Sequence, residues 1–182
     1  GSMPHLGVNA VYKMAKIVNE IEKLNDRLAK DDFLGNGTVT VSYIDCKTPS
    51  MCAVPGAAYI QLERRLTTGE TKELALAEVK DAVKRAGVDA DVTLVHYAKP
   101  SYKGLVYETE SYFPTWVYPD NAPQVAAAVD TYRTLFDKDP VVSRWTFSTN
   151  GVAIAGMFDI PCVGFGPAEE EVAHTVNDRV PI

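Results

Sequence analysis

The chain has 182 residues, 46% apolar and 23% charged, a balance that supports a packed core and excludes wholesale disorder. Eighteen Lys and Arg against 24 Asp and Glu leave a formal charge of −6, which argues against nucleic acid as a partner. No apolar run reaches the roughly 18–20 residues of a membrane span, and no secretory leader is read, since Gly1-Ser2-Met3 has the look of an expression scar.

Residues 8–28 carry helical periodicity, with Val11, Met14, Val18, Ile21, Asn25 and Leu28 on one stripe. The helix is expected to stop near Asp31, before Gly35-Asn36-Gly37. Residues 38–46 alternate like a strand, with Val39, Val41 and Tyr43 on one face. Residues 57–66 alternate again, with Ala58, Ile60 and Leu62 together. A second helix is predicted over 71–86, with Thr71 as N-cap and Gly87 just past its end. A third strand is predicted over 92–98. One more strand ahead of the first helix would complete the βαββαβ ferredoxin-like order. That strand is absent or reduced to the stub at 2–6, which would leave a sheet edge unpaired or available to another chain.

Residues 101–118 are irregular and aromatic and read as a connector between a first domain, 4–100, and a second, 119–182. In the second domain a helix is predicted over 123–136, strands over 141–147 and 161–165, and a short apolar helix after Ser148-Thr149-Asn150-Gly151. This alternation suggests part of an α/β layer. The fold class is therefore α+β: helices on one face of an antiparallel sheet, then an α/β segment.

Three histidines invite a chemical reading. His174, in a loop at a predicted strand end, is open to two readings, a zinc-ligating imidazole or an ordinary polar loop residue. His5 lies just ahead of the first helix and is either a hydrogen-bond donor to a developing oxyanion or a terminal residue without a role. His96 is in phase with Val92 and Leu94 and is expected on a packed face. Arg64 and Arg65 are adjacent on a strand and must point to opposite faces, where one can meet a carboxylate as a planar fork. Glu169-Glu170-Glu171 reads as solvated loop. Ser148, Asn150 and Gly151 belong either to a helix-capping turn or to a substrate-contacting loop. Cys46, Cys52 and Cys162 are odd in number and without CxxC spacing, so they are expected as small buried hydrophobes in a reducing cytoplasm.

Four motifs in order carry a resemblance over residues 4–182: Pro4-His5-Leu6-Gly7-Val8-Asn9-Ala10; Val54-Pro55 followed by Leu62-Glu63-Arg64-Arg65 and Thr68-Gly69-Glu70; Ser148-Thr149-Asn150-Gly151; and Gly164-Phe165-Gly166-Pro167 followed by Ala173-His174 and Asn177-Asp178. Together they resemble the co-catalytic zinc peptidase and deacylase family. It includes acetylornithine deacetylase, succinyl-diaminopimelate desuccinylase and carboxypeptidase G, and the chain is most similar to its selenium-metabolism hydrolase branch. Glu63 stands where the family usually has aspartate, and Thr68 where proline is usual.

The resemblance implies a ferredoxin-like dimerisation lid over 4–100 and the last part of a catalytic domain over 119–182, with the N-terminal catalytic half not present. It implies a hydrolase, a metallopeptidase or deacylase, that cleaves an amide bond of a small peptide or N-acyl amino acid through a zinc-activated water. Two zinc ions serve the full-length enzyme, and none is expected to bind tightly here. Carried over residue by residue, His174 is the terminal zinc ligand, and His5 reaches the partner subunit's site and polarises the scissile carbonyl. Arg65 binds a substrate carboxylate, and Ser148, Asn150 and Gly151 line the substrate pocket. The expected assembly is a cytoplasmic homodimer, inactive as this piece alone. The alternative is a non-catalytic dimerisation module.

Overall fold

The first helix begins where the sequence supplies a cap. Asn9 is extended, and its Oδ1 accepts from the amides of Val11 (3.0 Å) and Tyr12 (3.2 Å), opening α1 (Ala10–Leu24). A 3-10 turn, Asn25–Arg27, continues it. β1 (Thr38–Lys47) and β2 (Ala57–Arg65) pair as an antiparallel hairpin. α2 (Lys72–Arg85) follows, capped by Thr71, whose Oγ1 accepts from the amide of Leu74 at 3.3 Å. Past its end Gly87 takes φ 64°, the left-handed turn that closes helices at little cost only in glycine.

This is a computed structural model, and it describes residues 2–167 and 169–180. Gly1 of the scar-like opening, position 168 of the Gly/Pro/Glu loop and the last two positions of the 119–182 segment lie outside the described residues. The chain divides into two compact units, Gly1–Tyr112 and Phe113–Ile182. The division falls within 101–118, the stretch read as a connector.

In the first unit Ile17, Ile21, Leu24 and Leu28 pack with Val39 of β1 and with Val79, Ala82 and Val83 of α2. Met14, Ile60 and Leu62 flank them. Both helices thus lie on one face of the hairpin, the expected α+β arrangement, and the other face is solvated. The buried stripe of α1 runs through Ile17 and Leu24 rather than Val18 and Asn25. Asn25 has another task. Its amide donates to the carbonyl of Val39 and accepts from the Val39 N–H, both at 2.9 Å. A helix-end side chain thereby satisfies one residue of the edge of β1 that β2 leaves open.

Two strand expectations change. The register of the hairpin shifts between Val41 and Tyr43. This bulge turns Tyr43 away from Val39 and Val41 to the exposed face, where it joins Asp45, and brings Ile44 opposite Ile60. Of the third strand expected over 92–98, only 96–97 is in a ladder, and not with the hairpin: among the described residues that sheet holds β1 and β2. Residues 88–94 do alternate half-buried and exposed, and Val88, Ala90 and Val92 pack on the core. The ladder nearby is a separate two-stranded ribbon, β3 (His96–Tyr97) with β4 (Thr109–Glu110). The physical reason lies in the βαββαβ order, where the parallel strands of the second βαβ unit are split by the strand that precedes α1. The described residues there form a 3-10 turn, Pro4–Leu6, so 88–94 has nothing to pair with.

In the second unit α3 (Pro123–Phe136) starts with proline in its first turn and ends at Asp137, with φ 51°. The strands expected over 141–147 and 161–165 are irregular, because a ladder needs a partner and the described residues of this unit offer none. Val141, Phe158 and Phe165 are exposed, and among the described residues Ala122, Val125 and Ala155 are the buried apolar ones. The short apolar helix is a π-type turn, Val152–Met157.

Candidate functional site

His174 stands out in the second unit. Its backbone is left-handed, φ 61°, a conformation that costs a non-glycine residue on the order of 1 kcal/mol and persists only when the surroundings enforce it. The enforcement is local. Ala173 N–H donates to Glu170 O at 3.0 Å, Thr175 Oγ1 to Val172 O at 2.7 Å, and Asn177 N–H to Thr175 Oγ1 at 3.1 Å. His174 N–H itself points to Asp178 Oδ2 at 3.4 Å. The imidazole is exposed and lies edge-on to the ring of Phe147, with centroids 5.0 Å apart and planes at 75°. Neither ring nitrogen is hydrogen-bonded to a described residue.

Phe147 is the residue before Ser148, so the chain enters the Ser148-Thr149-Asn150-Gly151 turn from a ring packed on His174. Glu170 adds a tie that sequence reasoning missed. Its Oε1 accepts the N–H of Thr146 at 2.6 Å and the N–H of Phe147 at 2.9 Å. The residue read as solvated loop is half-buried and joins two loops. No local pattern signals a contact across 23 and 24 residues. In the turn, the Asn150 carbonyl accepts from Ala153 and Ile154, and Gly151 N–H donates to Thr149 Oγ1 at 3.1 Å. Gly151 is buried against Trp116, and a Cβ there would lie 2.5 Å from Trp116 Cζ2. The turn leads into Val152–Met157 with Gly151 at the N-cap and no side-chain capping bond. The glycine itself is required by the indole.

His5 and Arg65 belong to the first unit. His5 is exposed in the turn Pro4–Leu6. The start of α1 is fixed to the hairpin by Ala10 N–H donating to Pro55 O at 3.1 Å. Arg65 is exposed on the solvated face of β2, with Nε 3.3 Å from Glu63 Oε1. Arg64 takes the opposite face, as adjacent strand residues must. Its guanidinium is nearly buried and binds Glu70 Oε1, Glu78 Oε2 (2.9 Å) and the carbonyl of Arg65. The second Glu70 oxygen accepts the Thr67 N–H at 2.7 Å. Gly37 passes directly over the pair, where a Cβ would sit 2.8 Å from Arg64 Nη1. This is a structural lock between the end of β2, the turn after it and α2.

On the solvated face, Asp45 accepts from Tyr59 Oη at 2.6 Å and Tyr43 Oη at 3.3 Å. The hydrogen bond to Asp45 pushes Tyr59 up to about 12, and the same bond lowers Asp45. His96, expected on a packed face, is exposed in β3 with Nδ1 3.0 Å from Glu108 Oε1. Of the cysteines, all free thiols, Cys46 and Cys162 are half-buried and Cys52 is exposed, against the expectation of burial.

The donor set can be tested against the implied metal. Among the described residues no three His, Cys, Asp or Glu side chains come together to hold an ion. A catalytic zinc takes about three protein ligands. Among the described residues the exposed His174 imidazole, with neither ring nitrogen hydrogen-bonded, fits one coordination position and is not part of a three-donor group.

Residues 1–91 match the M20 peptidase dimerisation domain. Over 181 residues the chain is 49% identical to the uncharacterized protein YgeY of Escherichia coli K12, covering 98% of this chain and 44% of that protein. It is 27% identical over 194 residues to the N-formyl-4-amino-5-aminomethyl-2-methylpyrimidine deformylase of Bacillus subtilis, covering 97% and 42%. In fold it is similar to the M20 family metallo-carboxypeptidase Sso-CP2 from Sulfolobus solfataricus, with a TM-score of 0.54 and 13% identity over 87% of this chain and 50% of that one. The chain thus spans less than half the length of the curated relatives it matches.

Proposed function

The chain belongs to the M20 peptidase family through its dimerisation domain, and from that premise we propose that it is the lid and closing catalytic segment of a zinc-dependent amidohydrolase. One observation carries the reading. The dimerisation match ends at residue 91, yet the likeness to a much longer relative covers 98% of the chain and so includes the second unit and His174. The substrate is an N-acyl amino acid or small peptide, a proposal supported by the relative named as a deformylase of an N-formylated pyrimidine. His174 holds one position on the metal. The ion, when bound, supplies Lewis-acid activation of water and of the amide carbonyl. Arg65, exposed on the solvated face of β2, takes a substrate carboxylate. The Ser148–Asn150–Gly151 turn lines the substrate pocket, and His5 donates to the carbonyl oxygen in the partner subunit's site. The remaining metal ligands and the general base lie in the portion of the full-length protein outside this chain, which on this reading is inactive alone. A cytoplasmic setting is part of this reading, from the odd and sparse cysteines of the sequence. Among the described residues no helix is long and apolar enough to cross a membrane.

The experiment compares the full-length protein with this chain by zinc calorimetry at neutral pH and by hydrolysis of a panel of N-acyl amino acids and dipeptides. Turnover and tight stoichiometric zinc are expected for the full-length protein only; both appearing in this chain alone, or neither in the full-length protein, overturns the proposal. The match of residues 1–91 favours a second role, self-association through the first unit. Sedimentation equilibrium is expected to give a homodimer, and a strict monomer at high concentration refutes it.

A further inference from the structure

We propose that Glu170 is a positioning residue that holds the His174 imidazole and the Ser148–Gly151 turn in one site. The inference rests on the reading of His174 as a metal ligand and goes beyond it.

The carboxylate does not touch His174. It acts through the backbone of the neighbouring loop. One oxygen, Oε1, receives two successive amides, Thr146 at 2.6 Å and Phe147 at 2.9 Å. Charge-assisted bonds of this kind to backbone N–H are about twice as strong as neutral ones. Two successive amides can aim at one oxygen only in a curved backbone, so the bond selects the local conformation of 146–147. With that conformation set, the Phe147 ring stands edge-on against the imidazole at 5.0 Å. Glu170 itself begins the 3-10 turn Glu170–Val172, and its carbonyl receives the Ala173 amide at 3.0 Å. The same residue therefore grips both loops, one by its side chain and one by its main chain.

The left-handed backbone of His174 is held by bonds of Ala173, Thr175 and Asn177 that do not involve the Glu170 carboxylate, so what that carboxylate controls is the contact of the imidazole with Phe147. Without Glu170, Phe147 is free to swing, and His174 loses the surface that limits its ring. Glu169 and Glu171, the exposed neighbours in the acidic run, have no such bonds in the described structure and serve as internal controls.

The test uses the full-length protein in four variants: Glu170→Ala, Glu170→Gln, Glu171→Gln and His174→Ala. Gln retains a side-chain carbonyl that accepts both amides. Amide hydrogen exchange at Thr146 and Phe147 reads the clamp, and zinc affinity by chelator competition reads the imidazole. Glu170→Ala is expected to lose protection at both amides and to weaken zinc about tenfold, within the usual range for residues that orient a ligand. Glu170→Gln is expected to restore most of both, and Glu171→Gln to match wild type. Wild-type zinc affinity or wild-type protection in Glu170→Ala, with His174→Ala weakened, overturns the role of Glu170 alone. Wild-type affinity in His174→Ala overturns the ligand reading and this proposal with it.

Discussion

Replacing Glu70 with alanine tests the lock under the first unit. Its side chain is 2% exposed and that of Arg64 10%, so the pair is shielded from water and from salt screening. Removal leaves the guanidinium with Glu78 at 2.9 Å and the Arg65 carbonyl, while its buried Nε already has no partner among the described residues. The Thr67 N–H also loses its carboxylate. Breaking a buried pair from one side costs about 3–5 kcal/mol, a large share of a domain stability of about 5–15 kcal/mol. At about 1–3 kcal/mol per molar urea, the midpoint is expected to fall by more than about 1 M. Both tryptophans, Trp116 and Trp145, lie in the second unit. Unfolding of the first is therefore followed in urea by far-UV circular dichroism and by exchange at the Ile21 and Leu24 amides. Arg64→Met combined with Glu70→Leu removes both charges and should be less destabilising than Glu70→Ala alone. A Glu70→Ala cost below about 1 kcal/mol with unchanged m, or a double variant as costly as the two singles summed, refutes the reasoning.

Asn25→Ala removes two hydrogen bonds to Val39 and is expected to cost about 1–3 kcal/mol, read as loss of exchange protection at the Val39 amide. Gly151→Ala places a methyl 2.5 Å from the Trp116 ring, so tryptophan fluorescence should shift and the second unit lose about 1–3 kcal/mol, as overpacking does; an unchanged spectrum and midpoint would count against the packing. Tyr59 is expected to titrate near 12 by absorbance at alkaline pH, against an ordinary value of 10. Its pKa is raised in the folded state, so its contribution to stability is complete below 10 and lost as pH climbs through about 12. Asp45→Asn should return Tyr59 toward its ordinary value, and no change on that substitution removes Asp45 as the cause.

Local chemistry explains what was legible in the sequence. Asn9, Thr71 and Gly87 punctuate α1 and α2 by their own side chains or lack of one, and the 123–136 helix was readable from its proline start and apolar spacing. Alternation over 57–65 is a backbone property that survives whatever packs on it. The Arg64 and Arg65 split follows from strand geometry, and so did the expectation that one of them meets a carboxylate. That Arg64 is the one locked inside the unit was settled by Glu70 and Glu78, residues of the turn and helix that come after, while Arg65 has the exposed contact with Glu63.

The sequence by itself determined the helices, the hairpin and the order of motifs, because each depends on neighbours within a turn or two. Only the tertiary structure decided the bulge that turns Tyr43 outward, the fate of 88–94, and the grip of Glu170 on Thr146 and Phe147. These depend on where backbone amides and carbonyls find partners. A bulge is set by both strands together, a strand exists only when another edge lies beside it, and a carboxylate finds amides two dozen residues away only after the loops have met.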